Sequence, residues 1–161
     1  MRVAVIMGSN SDLPKVEPAI LLLKKFGVRV DVRCYSAHRT PDELIDFILD
    51  AENNGTEVII AAAGMAAALP GVIASKTILP VIGVPISGSN LEGMDALLSI
   101  VQMPPGIPVA TVAINGSKNA AYLALQIIGN KHEDVKQKLI QDRIEMKTAV
   151  LKVNEDIASK Y

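Results

Sequence analysis

The sequence predicts an α/β protein in which a parallel sheet is covered on both faces by helices. Five short apolar runs, rich in β-branched residues, alternate with longer segments of helical spacing along the 161 residues. The runs are apolar at nearly every position, which is typical of strands buried on both faces. Half of the residues are hydrophobic, so a chain of this length can build one sizeable core.

The apolar runs and the turn residues between them give the expected elements. Strands are predicted at residues 2–7, 28–34, 57–63, 80–85 and 109–114. Helices are predicted at residues 13–26, 41–53, 66–76, 94–101, 118–128 and 133–158. The second helix has the clearest start, with Thr40 as N-cap, Pro41 in the first turn and Glu43 closing a capping box.

We expect a single domain over residues 1–161, with a core at 1–130 and a C-terminal helix at 131–161. This last helix has an apolar stripe and is longer than a small sheet needs for cover. A subunit interface would explain its length, and a solvated terminal helix is the alternative. A mean hydropathy of +0.32 fits either surface buried between subunits or an Ala-rich core.

Composition restricts the possible partners and the compartment. A net charge of −1 without a basic block, and five aromatic residues without Trp, argue against nucleic acid and for a small ligand. The apolar stretch at 58–74 contains Gly64 and Pro70 and is shorter than the roughly 20 residues of a membrane span. The single Cys34, expected as a buried small side chain, excludes an internal disulfide and suits the cytoplasm.

In a parallel sheet, ligands bind where the carboxyl ends of the strands meet helix N-termini. The candidate site therefore consists of the loops that follow the strands. These loops are residues 8–12, 36–40, 64–71, 87–90 and 115–119.

The first loop combines Gly8 with two hydroxyls, Ser9 and Ser11, and the carboxylate of Asp12. Backbone N–H groups and hydroxyls at such a turn can hold a phosphate. Asp12 cannot hold phosphate but could accept hydrogen bonds from sugar hydroxyls. Ordinary turn and capping chemistry is the alternative interpretation.

The second loop is the more informative, because Ser36, His38 and Arg39 directly precede a predicted helix. The Arg39 guanidinium suits bidentate phosphate binding. Histidine is the side chain most often used for proton transfer near neutral pH, which makes His38 a candidate acid–base catalyst. A structural or solvated histidine is the competing interpretation.

Three motifs in order carry a resemblance to a known family: GSNSD at 8–12, SAHRTP at 36–41, and SIVQMP at 99–104 followed by GIPV at 106–109. The chain resembles the class I 5-(carboxyamino)imidazole ribonucleotide mutases of purine biosynthesis, relatives of aminoimidazole ribonucleotide carboxylase. The resemblance runs from about residue 3 to residue 128. The related class II carboxylases usually have Lys where this chain has Arg39, which favours class I.

The resemblance implies a three-layer αβα sandwich of flavodoxin or Rossmann type, and a homo-octamer with active sites at subunit contacts. It implies transfer of a carboxyl group from the exocyclic nitrogen of the aminoimidazole to a ring carbon, without a metal or organic cofactor. His38 would be the general acid and base. The substrate-binding positions would be Ser9, Ser11, Asp12, Ser36 and Arg39, with Asp12 on the ribose hydroxyls.

The third loop departs from the family, which usually reads Gly-Gly-Ala-Ala-His-Leu-Pro-Gly there. Met65 replaces the second glycine and Ala68 replaces the histidine, which is thought to help hold the carboxylate or carbon dioxide. Two alternatives to the mutase follow. One is direct carboxylation of aminoimidazole ribonucleotide with carbon dioxide, and the other is a non-catalytic ribonucleotide-binding homologue.

Overall fold

The computed structural model describes residues 1–88 and 90–161. Ser89, part of the candidate loop at 87–90, lies outside the described residues. Contacts within the chain group it into two compact units, Met1–Ala124 and Leu125–Tyr161. The prediction of a single domain divided near residue 130 stays a prediction.

The first unit contains a five-stranded, wholly parallel sheet, which confirms the predicted fold class. Its strand order is β2-β1-β3-β4-β5. Strand β1 pairs in parallel with both β2 and β3, so that Val3 is opposite Val30 on one side and Val58 on the other. The strands are β1 (Arg2–Met7), β2 (Arg29–Cys34), β3 (Val58–Gly64), β4 (Val81–Ile86) and β5 (Ala110–Thr111).

Helices follow the strands in the expected alternation, after a short 3₁₀ turn at Asn10–Asp12 that leads into the first of them. Most bounds agree with the prediction to within one residue. The third helix and the fifth strand are shorter than the predicted 66–76 and 109–114. The helices are α1 (Leu13–Lys25), α2 (Pro41–Asn53), α3 (Leu69–Ala74), α4 (Met94–Val101), α5 (Ser117–Gly129) and α6 (Glu133–Ala158).

One face of the sheet packs against α2, α3 and α4. Buried side chains of alternate strand positions, such as Ile6 and Ile59, form a cluster there with Leu44, Ile73 and Ile100. Strand β4 approaches α4 so closely that only glycine fits at position 83. A Cβ at Gly83 would overlap Ile100 Cγ2 and lie 2.9 Å from Val109 Cγ1.

The opposite face carries the intervening strand residues, of which Val3 and Val5 are fully buried. Helix α1 contacts β1 and β2 and buries Val16 and Leu23. The sheet is therefore a middle layer with helices on both sides. Among the described helices, none has the length and apolar character needed to cross a membrane.

The second unit contains the long helix α6, whose bounds match the predicted 133–158. Val135 is buried at its beginning, whereas most apolar side chains further along the helix are exposed. The exposed ones include Ile144, Val150, Val153 and Ile157. An apolar stripe left in water over so many turns is a surface that another chain could cover.

The prediction that Cys34 is a buried side chain is wrong, since its thiol is exposed. Cys34 ends β2, which is an edge strand of the sheet. An edge strand has a neighbour on one side only, so its side chains are less covered than those of the central strands. The burial pattern of β2 contains no fully buried residue.

Candidate active site

The loops that follow β1, β2 and β3 lie at the same end of the sheet, where the carboxyl ends of the strands meet, because all three strands are parallel neighbours. The chain order reverses between β1 and β3, the point at which sheets of this order bind ligands. The first loop is fixed to the neighbouring strand by a hydrogen bond of 3.3 Å from the Gly8 amide to the Ala62 carbonyl.

The hydroxyls of the first loop are organised around Ser9. Its Oγ accepts hydrogen bonds from the Ser11 amide at 3.3 Å and from the Ser11 hydroxyl at 2.8 Å. A longer contact of 3.4 Å joins the Ser11 hydroxyl to the Asp12 carboxylate. Ser9 therefore keeps its own proton for donation to a ligand, as phosphate binding requires.

Asp12 is partly buried at the start of α1, and this changes its acidity. Burial raises the pKa of the Asp12 carboxyl above its ordinary value, because the charged form loses solvation. Three weaker effects lower the pKa, namely a hydrogen bond from the Ser11 side chain, the positive charge of Lys15 and a hydrogen bond from the Ser9 backbone.

The second loop is closed by reciprocal bonds between Ser36 and Thr40. The Thr40 hydroxyl accepts from the Ser36 amide at 2.9 Å and donates to the Ser36 carbonyl at 3.2 Å. The predicted capping box is therefore wrong. Thr40 is the N-cap residue, but its side chain makes no cap hydrogen bond, because its hydroxyl is already engaged in closing this turn.

The same turn presents His38 and Arg39 to solvent, and both are exposed. Their backbone amides point inwards and donate to the Ser36 hydroxyl at 3.4 Å and 3.3 Å. The Arg39 guanidinium reaches across to the first loop, where Nη2 donates to the Gly8 carbonyl at 3.2 Å. The structure thus brings the two predicted loops into direct contact through Arg39.

The third loop begins with a residue in an uncommon conformation. Met65 has a φ of 56°, in the left-handed region that costs a residue with a side chain roughly 1 kcal/mol relative to glycine. Its side chain is 68% exposed. The Ala67 amide bonds to the Met65 carbonyl at 2.9 Å, so the chain turns there and α3 begins only at Leu69. Ala68 is its N-cap residue and makes no side-chain cap.

Sequence reasoning missed a second polar network at this edge. The Lys15 ammonium donates to the carbonyl of Ser87, after β4, and the Ser87 hydroxyl in turn receives a bond from Asn115, after β5. The available signal was a lysine in the first turn of a predicted helix, where the helix dipole disfavours positive charge. Its partner, 72 residues away, follows only from the strand order.

The fold and these loops define an α/β protein with a polar candidate site at the switch point of a parallel sheet. The chain belongs to the AIR carboxylase family, whose model matches residues 2–149. This is the family anticipated from the three sequence motifs at 8–12, 36–41 and 99–109.

Several curated relatives are similar over almost the whole chain. The N5-carboxyaminoimidazole ribonucleotide mutase of Methanocaldococcus jannaschii is 52% identical over 99% of both chains. That of Pyrococcus horikoshii is 56% identical over 92% of this chain and 84% of the relative. The phosphoribosylaminoimidazole carboxylase of Candida albicans is 51% identical over 92% of this chain, which spans only 26% of that protein.

Solved structures agree with the sequence matches. The crystal structure of Treponema denticola PurE has a TM-score of 0.83 and 29% identity to this chain. It covers 96% of this chain and 95% of its own. The fold of this chain is thus similar to that of PurE over nearly its whole length.

We predict that Asp12→Asn stabilises the protein at neutral pH. The pKa of Asp12 is higher in the folded protein than in the unfolded chain. Above this folded-state pKa the ionised carboxylate therefore destabilises the protein. The destabilisation is lost as the pH falls and the carboxylate takes up a proton. The midpoint of thermal unfolding should rise by about 1–2 °C at pH 7, a small effect for a partly exposed group. The gain should disappear below pH 3.8, the ordinary pKa.

The control is Asp46→Asn on α2, where the carboxylate is exposed, and it should leave the midpoint unchanged at both pH values. Circular dichroism at several pH values measures both variants. A less stable Asp12→Asn protein at pH 7 would contradict the prediction.

Proposed function

We propose that this chain is an N5-carboxyaminoimidazole ribonucleotide mutase of purine biosynthesis, an isomerase. It converts 5-(carboxyamino)imidazole ribonucleotide to 4-carboxy-5-aminoimidazole ribonucleotide. The observation that carries the proposal is the match at 52–56% identity to relatives named as this mutase. The match to the family model, at residues 2–149, includes both polar loops, which the fold brings to the switch point of the sheet.

His38 is the proton carrier in this proposal. It donates a proton to the exocyclic nitrogen as the bond from that nitrogen to the carboxyl carbon breaks and carbon dioxide forms. The ring carbon then attacks the carbon dioxide, and His38 recovers a proton from that ring carbon, which restores aromaticity. One imidazole acting as acid and then as base balances the protons without a cofactor.

The phosphate and ribose are held by the first two loops. The Ser9 and Ser36 hydroxyls donate to phosphate, and the Ser11 hydroxyl turns from Ser9 to the phosphate when the substrate binds. The Arg39 guanidinium supplies the positive charge. The bond from Arg39 to the Gly8 carbonyl supports this assignment, because it aligns the guanidinium with the Ser9 loop. Asp12 accepts hydrogen bonds from the ribose hydroxyls.

The test of the mutase is turnover by the wild type and its loss in His38→Asn. Asparagine can hydrogen-bond but cannot carry a proton, so turnover should be abolished while ribonucleotide affinity stays within about tenfold. His132→Asn, the change of the other histidine, is the matched control and should keep full activity. Binding without turnover by the wild type would favour the non-catalytic homologue, and an active His38→Asn would refute the role of His38.

Arg39→Ala is expected to weaken ribonucleotide binding by roughly 2–4 kcal/mol, because the bound phosphate loses its charge-assisted hydrogen bonds from the guanidinium. The dephosphorylated nucleoside should bind poorly to the wild type and be little affected by the substitution. Calorimetric titration with both ligands measures this. Arg29→Ala, at the amino end of β2, is the control. Equal affinity of nucleoside and nucleotide would contradict the assignment.

Direct carboxylation of aminoimidazole ribonucleotide is the second candidate, and Ala68 is the observation that favours it. A histidine at position 68 could donate a hydrogen bond to the departing carboxylate, whereas alanine cannot. Relatives named as carboxylases also match this chain. We propose that the mutase reaction persists, but that more carbon dioxide escapes in each turnover than in a relative with the histidine.

Ala68→His combined with Met65→Gly should raise the ratio of mutase product to released aminoimidazole ribonucleotide by about threefold, the effect of one hydrogen bond. Glycine at 65 relieves the left-handed backbone of Met65. Labelled carboxylate from the carboxyamino substrate is followed in both proteins, with Met65→Gly alone as control. Equal loss of label would contradict the prediction, and a wild type that uses only bicarbonate would be a carboxylase.

The working form of the enzyme is a cytoplasmic homo-octamer with active sites at subunit contacts. The exposed apolar side chains of α6 support an assembly, because neighbouring chains would bury them. Light scattering should give about 137 kDa, eight times the chain mass of 17.1 kDa. A monomer at micromolar concentration would refute the assembly, and a smaller oligomer would refute the number eight.

A further inference from the structure

Met65 holds an unfavourable backbone conformation for which contacts within the chain compensate little. Its φ of 56° lies in the left-handed region, which disfavours every residue that has a Cβ. The Met65 side chain is 68% exposed, so the conformation is not offset by burial of the side chain. Strained residues of this kind cluster at ligand-binding sites. A large apolar side chain held in solvent by a strained backbone therefore indicates a contact that forms when another molecule binds.

The residues on either side of Met65 enforce its conformation. Gly64 is the last residue of β3 and pairs with Ile86 of β4, which fixes the chain before Met65. The Ala67 amide donates to the Met65 carbonyl at 2.9 Å, and the Ala67 side chain is buried, which fixes the chain after it. The exposure of Met65 is therefore a consequence of how the third loop folds.

Met65 also differs in chemistry from the other residues at this end of the sheet. Within the described loops at 8–12, 36–40 and 64–68 it is the single large apolar residue. The first two loops contain hydroxyls, a carboxylate, an imidazole and a guanidinium, whereas the third continues from Met65 with three alanines. Phosphate and ribose suit the polar loops. The apolar third loop suits the flat face of an aromatic ring.

We propose that Met65 is a specificity-determining residue that packs its thioether against the imidazole ring of the bound ribonucleotide. This inference rests on the proposed function. The third loop is close enough to the first for one ligand to contact both, since a Cβ at Gly8 would lie 4.0 Å from Leu69 Cδ2. A thioether against an aromatic ring is a favourable contact, and the ring would remove the exposed side chain from water.

Oxidation of methionine by hydrogen peroxide tests this contact in the wild-type protein. The thioether takes one oxygen atom from the peroxide, which gives the sulfoxide and water. Aminoimidazole ribonucleotide, in buffer free of carbon dioxide, should slow oxidation of Met65 at least about fivefold, because the ring covers the sulfur. Ribose 5-phosphate, which has no ring, should leave the rate within about twofold. Mass spectrometry of peptides measures both, and the exposed Met146 of α6 is the internal control, whose rate should not depend on ligand.

Two substitutions separate the ring contact from a general effect on the site. Met65→Gly should weaken binding of aminoimidazole ribonucleotide about tenfold, because an apolar contact is lost, and leave binding of ribose 5-phosphate within about twofold. Met65→Leu, which keeps the apolar volume, should stay within about threefold of the wild type for both ligands. The midpoint of thermal unfolding should not fall in Met65→Gly, since glycine relieves the left-handed backbone.

Equal oxidation of Met65 with and without saturating ribonucleotide would overturn the inference. So would a Met65→Gly protein that binds both ligands like the wild type, or one that loses affinity for both equally. Slow oxidation of Met65 without ligand, together with a smaller assembly in Met65→Gly, would also overturn it, because Met65 would then pack against a neighbouring chain. Turnover without protection of Met65 would overturn this inference alone, whereas a wild type that neither binds nor converts the ribonucleotide would overturn the proposed function.

Discussion

Parallel pairing of β1 with both β2 and β3 is the constraint on which the site depends. It sends three successive loops to one edge of the sheet, although they come from residues far apart in the chain. The bond from Arg39 to the Gly8 carbonyl is possible only in this arrangement. An antiparallel β2 would carry the His38 loop to the opposite end of the sheet. The groups proposed for phosphate binding and for proton transfer would then be separated by the length of a strand.

Much of this fold could be predicted, because buried parallel strands are apolar throughout and stand out from the amphipathic helices between them. The errors have local causes. Helix α3 begins late because Met65 turns the chain first. Cys34 is exposed because β2 lies at an edge, which apolar patterning does not reveal. The Thr40 hydroxyl could bond either to an amide in the first turn of α2, as an N-cap does, or to the backbone of Ser36. The preference of threonine for N-cap positions could not show that it bonds to Ser36 instead.

The candidate site was predictable only in part, for a related reason. Ser36, His38 and Arg39 are close together in the sequence, and several polar residues directly after one strand indicate a candidate site. The bonds joining Lys15, Ser87 and Asn115 depend on the strand order, which alternation of elements does not fix. Hydrogen bonds between residues so far apart are only weakly indicated by the sequence. Here the one indication is a lysine at the N-terminal end of a helix, where the helix dipole disfavours its charge.

The exposed Cys34 gives this protein a spectroscopic handle. It is the single thiol of the chain, at the carboxyl end of β2 and four residues before His38. A fluorophore or spin label therefore attaches at one known point without removal of other cysteines. Because that point lies beside the loop that carries His38 and Arg39, the label would respond to a ligand that binds at the proposed site, in an otherwise unaltered sequence.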